Sequence, residues 1–116
     1  RGEIYAVDFG AGFGSEQGGI RPSLILQNDI GNKHSPTTIV AAITGRKTKA
    51  ALPTHVKIMA NGLKTESTVL LEQIRTIDKA RLGEYIGRLD SKTLTAVDRA
   101  IVVSLGIKYL EELLNG

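Results

Sequence analysis

Residues 37–44 read Thr37-Thr38-Ile39-Val40-Ala41-Ala42-Ile43-Thr44, eight positions filled by β-branched residues and alanine, with no glycine, proline or charge among them. Branched side chains are stiff about χ1 and pack well on a pleated surface, so this is the clearest strand in the chain. Turn chemistry bounds it on both sides. Residues 28–36 gather Asn, Asp, Gly, Ser and Pro, and beyond Thr44 come Gly45 and the basic cluster Arg46, Lys47 and Lys49. Outward from these turns the rhythm of strand and turn repeats. Ser23-Leu24-Ile25-Leu26 is a short apolar run of the kind buried on both faces, inside an expected strand over 23–28. Residues 3–9 and 54–59 alternate, whereas 67–77 is long and largely apolar but interrupted by Glu72, Gln73 and Arg75. That interruption predicts a bent central strand with polar side chains exposed at one end.

After Asp78 the period changes. Residues 79–82 suit a single helical turn and 84–89 a short strand. From Asp90 or Ser91, both good caps, Leu94, Val97, Ile101 and Leu105 recur at spacings of three and four and predict one amphipathic helix. Gly106 interrupts it, and Ile107, Leu110, Leu113 and Leu114 predict a second short helix. The connections between strands are too short for parallel crossovers. The expected fold is therefore mainly β with α, a compact antiparallel barrel or sheet with a C-terminal helix packed on it, formed by residues 1–116 as one domain.

Composition narrows the function. Fifteen Lys and Arg against twelve Asp and Glu give a net charge of +3, which permits a polyanionic partner without requiring one. The absence of cysteine removes disulfides, thiolate zinc sites and thiol nucleophiles together. His34 and His55 are isolated in sequence, with no triad pattern around either, and both read as non-catalytic; no cofactor is expected. No run approaches the roughly 18 apolar residues of a membrane span, and no signal-like leader is visible, so a cytoplasmic protein is expected. The chain opens on Arg1 rather than methionine, and native residues are expected in front of it.

The candidate site is the loop Gly14-Ser15-Glu16-Gln17-Gly18-Gly19-Ile20-Arg21-Pro22. Glu16 and Arg21 stand five residues apart on a glycine-rich turn between two strands. A carboxylate accepts protons and a guanidinium holds phosphate through two parallel hydrogen bonds, so the pair suits phosphoryl chemistry; it reads equally as two solvated loop charges. Gly10, Gly12 and Gly14 lack the Gly-Lys-Ser/Thr ending of a nucleotide-binding loop. Thr44 ends its strand beside the basic cluster, where its hydroxyl could contact a bound phosphate or simply satisfy its own turn. Phe13, an aromatic on the loop, is placed either to stack on a base or to pin the loop to the core. Other aromatics are too few for extensive base stacking.

Six blocks, in this order and spacing, closely resemble the MazF/PemK/Kid family of toxins from bacterial toxin–antitoxin pairs, in particular its Gram-positive branch. They are residues 1–5 (Arg-Gly-Glu-Ile-Tyr), the loop 14–22, Leu26-Gln27-Asn28-Asp29, Ala41-Ala42-Ile43-Thr44, Leu52-Pro53-Thr54-His55-Val56, and residues 70–78 (Leu-Leu-Glu-Gln-Ile-Arg-Thr-Ile-Asp). Only residues 61–65 and the tail after Gly106 depart from the pattern. The resemblance implies an SH3-like antiparallel β-barrel with a C-terminal helix, a homodimer, and sequence-specific, metal-independent cleavage of single-stranded RNA. It also implies a MazE-like antitoxin whose extended tail covers the RNA groove. By motif, Arg21 and Thr44 match the family's catalytic arginine and threonine, and Glu16 a glutamate implicated in some members. Ser15, Gln17, Leu52, Ser67 and Gln73 fall on positions resembling base-contacting ones. A solvated loop carboxylate is a weak base for a sugar hydroxyl, which makes Glu16 the poorest of the three catalytic assignments. Two other functions compete. A gyrase-poisoning toxin shares the fold but binds through a C-terminal Trp-Gly-Ile, and this chain has no tryptophan and ends Leu-Leu-Asn-Gly. A catalytically silent antitoxin-binding repressor would have no use for Arg21 and Thr44.

Overall fold

The computed structural model describes residues 1–16, 18–46, 52–60 and 62–108. Six strands form one antiparallel sheet: β1 (Glu3–Asp8), β2 (Ile20–Ile25), β3 (Thr37–Thr44), β4 (His55–Ile58), β5 (Ser67–Asp78) and β6 (Leu82–Arg88), in the spatial order β4-β5-β3-β2-β1-β6. A short helix α1 (Asp29–His34) links β2 to β3, one 3-10 turn at Lys79–Arg81 links β5 to β6, and α2 (Ser91–Leu105) closes the described chain. The segment 37–44, rich in β-branched residues, is a central strand, pairing with β2 on one side and β5 on the other. The sheet coils enough for the segment after β4 to meet β6. At Gly62 (φ +94°) a Cβ would lie 3.1 Å from the Ile86 carbonyl carbon, an approach that only glycine permits. This is the expected mainly β architecture bent toward a barrel, with its terminal helix in place.

Side-chain alternation divides the interior in two. Ile4, Leu24, Ala41, Ile43, Val69 and Leu71 face α2, which contributes Val97 and Ala100 from its apolar stripe. Val7, Phe9, Ile25, Val40, Ala42 and Ile77 pack on the opposite face of the sheet. Each fully buried Leu, Ile or Val is worth about 1.5–3 kcal/mol of transfer free energy, so both faces must stay covered for the register to hold. Asp90 caps α2 by accepting from the Thr93 N–H at 2.7 Å, and Gly106 ends the helix in the left-handed conformation at φ 65°. The Ser104 hydroxyl ties the helix to the sheet by donating to the Leu71 carbonyl at 2.6 Å.

Two expectations need correction. Residues 28–36 are not all turn: Asn28 caps α1, its side chain accepting from the Gly31 N–H at 2.8 Å, so a residue that suits turns here starts a helix instead. β2 begins at Ile20 rather than at Ser23. Pro22 is tolerated because at that point β2 pairs with Ala6 of β1 alone, β3 joining only from Ser23 onward. Arg21 therefore lies on a strand and not on the loop. The second short helix expected beyond Gly106 falls mostly outside the described residues.

Candidate functional site

Strand register brings Arg21 and Thr44 together. Ser23 pairs with Ala42, Leu24 with Ala41 and Ile25 with Val40, and there the ladder stops; its register extended two residues aligns Arg21 with Thr44 where the two strands part. Paired residues on antiparallel strands have Cβ atoms about 4.5–5.5 Å apart, and two positions beyond the last pair the long arginine side chain can still span a wider gap toward the threonine. Both point to the face away from α2. Ile25 and Ala42, which share their parity on β2 and β3, belong to the cluster on that face, as does Val7, the β1 partner of Arg21.

Each side chain is then fixed by the backbone around it. The Arg21 Nε–H donates to the Gly18 carbonyl at 2.8 Å, which leaves the outer guanidinium nitrogens to meet a ligand. Thr44 is nearly buried, and its hydroxyl oxygen accepts from the Arg46 N–H at 3.2 Å. That bond is the local turn satisfaction the sequence allowed for, and the hydroxyl proton remains a donor for an incoming anion. Arg46 is exposed beside it, while Lys47 and Lys49 lie outside the described residues.

The loop before Arg21 is held by its own backbone. The Phe9 N–H donates to the Gly19 carbonyl at 2.9 Å and the Gly19 N–H to the Gly10 carbonyl at 2.6 Å, so the β1–β2 ladder continues into the loop. Above this neck the two limbs touch. A Cβ on Gly12 would stand 2.6 Å from the Glu16 carbonyl, and one on Gly18 2.9 Å from Gly12 Cα. Phe13, at the tip, is 83% exposed and pins nothing. Glu16 is exposed and forms no ion pair with Arg21 among the described residues, so the carboxylate–guanidinium pair that the loop sequence suggests is not present.

The remaining sequence candidates divide. Gln73 reaches across from β5 and its side-chain amide donates to the Ser15 carbonyl at 3.4 Å, which puts both beside the loop. Leu52 is half-exposed on the segment entering β4. Ser67 is nearly buried and donates its hydroxyl to the Thr65 carbonyl at 3.1 Å; its partner Ile58 belongs to the cluster under α2, so Ser67 starts on the other face from Arg21. Gln17 lies outside the described residues. Three groups with no site role legible in the sequence, His55 and the strand interruptions Glu72 and Arg75, also stand here. His55 is nearly buried, its Nδ1 accepting from the Leu52 N–H at 3.3 Å and its Nε2 lying 2.9 Å from Glu72, which also accepts from the Thr54 hydroxyl at 3.0 Å. Burial pushes the Glu72 carboxyl up, but the bonds from His55, a backbone N–H and Thr54 outweigh it and hold the group below the usual carboxylate range. Arg75 lies over the Phe9 ring at 5.2 Å on the same face as Arg21. Neighbours on β4 and β5, seventeen positions apart in sequence, give the reason His55 looked isolated: its carboxylate arrives through strand pairing.

Among the described residues the arrangement offers the Arg21 guanidinium with Arg46 and Arg75 nearby, a buried hydroxyl donor on Thr44 and a row of polar side chains along an open face. Such a set grips and polarises a phosphate held between two strands while contacting what flanks it. Among the described residues no three His, Asp or Glu converge on a point, and no helix is long and apolar enough to cross a membrane.

Comparison with known proteins points the same way. A family model described as the PemK-like, MazF-like toxin of type II toxin–antitoxin systems matches residues 1–105. The chain is 54% identical over 109 residues to the endoribonuclease EndoA of Bacillus subtilis, the match covering 92% of this chain and 94% of that one. Against the endoribonuclease MazF of Staphylococcus saprophyticus it is 55% identical over 109 residues, covering 92% and 91%. Among solved structures it resembles a mycobacterial endoribonuclease in complex with its cognate antitoxin, with a TM-score of 0.73 at 27% identity over 94% of this chain and 96% of that one.

Proposed function

The chain belongs to the PemK-like, MazF-like family of type II toxins and is an endoribonuclease, and from that premise we propose that it cuts single-stranded RNA at specific sequences by attack of a ribose 2′-hydroxyl on the adjacent phosphate. The observation that supports this reading is the β2–β3 register, which, extended past Ser23–Ala42, aligns Arg21 with Thr44 on one face of the sheet. In the step proposed, the 2′-oxygen bonds to phosphorus, the bond from phosphorus to the 5′-oxygen breaks, and the products are a cyclic 2′,3′-phosphate and a free 5′-hydroxyl. Charge builds on the equatorial oxygens as the bond forms. Arg21, tethered through Nε and free at its outer nitrogens, stabilises that charge and delivers a proton to the leaving oxygen; Thr44 donates to the phosphate and fixes its orientation. Glu16, exposed on the loop above the neck, serves as the base that accepts the 2′ proton. Phe13, Ser15, Gln17, Leu52 and Gln73 read the flanking bases, with Ser67 contributing only if its hydroxyl leaves the Thr65 carbonyl.

The rest of the biology follows from the same face. We infer a cytoplasmic homodimer of one domain, residues 1–116, that needs no metal and is held silent by a MazE-like antitoxin; the solved complex of a related endoribonuclease with its antitoxin supports that partner. The gyrase-poisoning alternative lacks its tryptophan here. Mapping 5′ ends after incubating purified protein with a long RNA, with and without chelator, tests the reading. Cuts at one recurring sequence, unaffected by chelator and lost in Arg21→Ala and in Thr44→Ala, are expected. Random cuts, dependence on a metal, or undiminished activity in both variants would refute it.

A further inference from the structure

A second surface lies on the other side of the sheet. Val56 and Lys57 of β4 and Lys92, Thr93, Thr95, Ala96 and Arg99 of α2 enclose a groove of about 630 Å³. The helical residues fall at spacings of three and four, so they form one stripe running beside the strand. No carboxylate lines it, and Lys57, Lys92 and Arg99 are all exposed. β4 is at the end of the sheet and pairs only with β5 among the described residues, which leaves its outer edge beside the groove without a strand partner there.

We propose that this groove binds an extended acidic peptide segment of a partner protein, added as a strand along the free edge of β4. Three features select that occupant. The edge supplies a ladder of peptide donors and acceptors, and a peptide backbone matches it, whereas a nucleic-acid backbone carries no donors in that repeat. None of the lining residues is aromatic, so bases would have nothing to stack on. Lys92 and Arg99 on the helix set the sign, and Lys57, whose pairing with Thr68 turns its side chain to the Thr44 face, adds a charge at the edge strand itself, which discourages pairing with an apolar strand and favours one that carries carboxylates. β6, the other edge, is less suitable. It carries Glu84 and two irregularities in its pairing with β1, which twist it away from a straight partner.

The test uses the full chain and a fluorescein-labelled, acetylated and amidated peptide of alternating Glu and Thr, about eight residues long to match a strand. Anisotropy measures binding, and amide NMR shifts locate it. Expected are shifts at His55 to Ile58 and along Thr93 to Arg99, with affinity reduced about tenfold in Lys92→Glu/Arg99→Glu while RNA cleavage by that variant stays at the normal rate. A peptide N-methylated at alternate residues, with its charge intact, should lose binding because it cannot complete the ladder. Equal binding by the N-methylated peptide, or peptide shifts confined to the 10–19 loop, would overturn the proposal. So would displacement of the peptide by single-stranded RNA with shifts at Thr95 and Ala96, which would assign the groove to nucleic acid.

Discussion

Replacing Gly18 with alanine should separate fold from catalysis. Gly18 has an ordinary φ, so alanine brings no backbone strain of its own. Its Cβ would instead arrive 2.9 Å from Gly12 Cα, closer still to Gly12 N, and 3.2 Å from the Gly10 carbonyl oxygen. All three are backbone atoms and none can swing aside. Ordinary contact starts at 3.4 Å, so the limbs of the loop must part by half an ångström or more. Gly18 is also the residue whose carbonyl holds Arg21 Nε at 2.8 Å, and the shift passes directly to the guanidinium. Misplacing a reacting group by about 1 Å costs on the order of a hundredfold, so a rate loss of about 10- to 100-fold is expected, equivalent to about 1.4–2.7 kcal/mol of barrier. The loop belongs to neither apolar cluster, and the melting temperature should stay within a few degrees of the parent. Single-turnover cleavage of a short RNA with enzyme in excess reads the chemical step without interference from product release. Gly45→Ala is the matched control, because its Cβ meets only the Thr65 hydroxyl at an ordinary 3.5 Å, and its rate should fall within about twofold of the parent. A Gly18→Ala protein with parental rate and stability would show that the neck of the loop does not position Arg21.

Thr44→Val should cost about a hundredfold in single-turnover rate, as removal of one preorganised donor does, while Thr44→Ser retains most activity. Glu72→Gln should lower thermal stability near neutral pH and converge on the parent in acid. The folded carboxyl lies below its ordinary value, so its stabilisation is complete above about pH 4.3 and vanishes as pH falls through the folded pKa; melting curves taken across pH 2.5–7 measure the convergence. Leu71→Ala, at a fully buried position under α2, should reduce unfolding free energy by about 2–5 kcal/mol in urea titration. Ser104→Ala, which removes the hydroxyl that α2 donates to the Leu71 carbonyl, should cost about 1 kcal/mol in the same assay.

The elements that periodicity reveals were the readable ones. Val97 and its neighbours three and four positions away announce α2, and Asp90 its start, because capping and amphipathicity act over a single turn. The strand ending at Thr44 was equally plain. Arg21 was visible as chemistry but misplaced as structure: a proline one position on suggested a loop exit, whereas strand pairing on one side only lets β2 run through it. The partnership of Arg21 with Thr44 rests on register between strands, which residue type alone does not encode. His55 with Glu72 was missed for that reason as well, since neither residue has a local signal and each acquires its partner through β4–β5 pairing. α1 was hidden because Asn28 serves turns and helix caps through similar side-chain bonds.

One irregularity in β5 bears on how such a site changes. Between Ala41, opposite Ile74, and Ile43, opposite Val69, β3 advances two residues while β5 advances five. Three residues of β5 are thus spare, and they include Glu72 and Gln73, whose side chains turn to the open face. Because the ladder is intact on either side, this slack lets Glu72 and Gln73 turn to the open face while Leu71 between the same two pairs stays buried under α2, so an exchange of either polar residue would alter that face and leave the core contact in place.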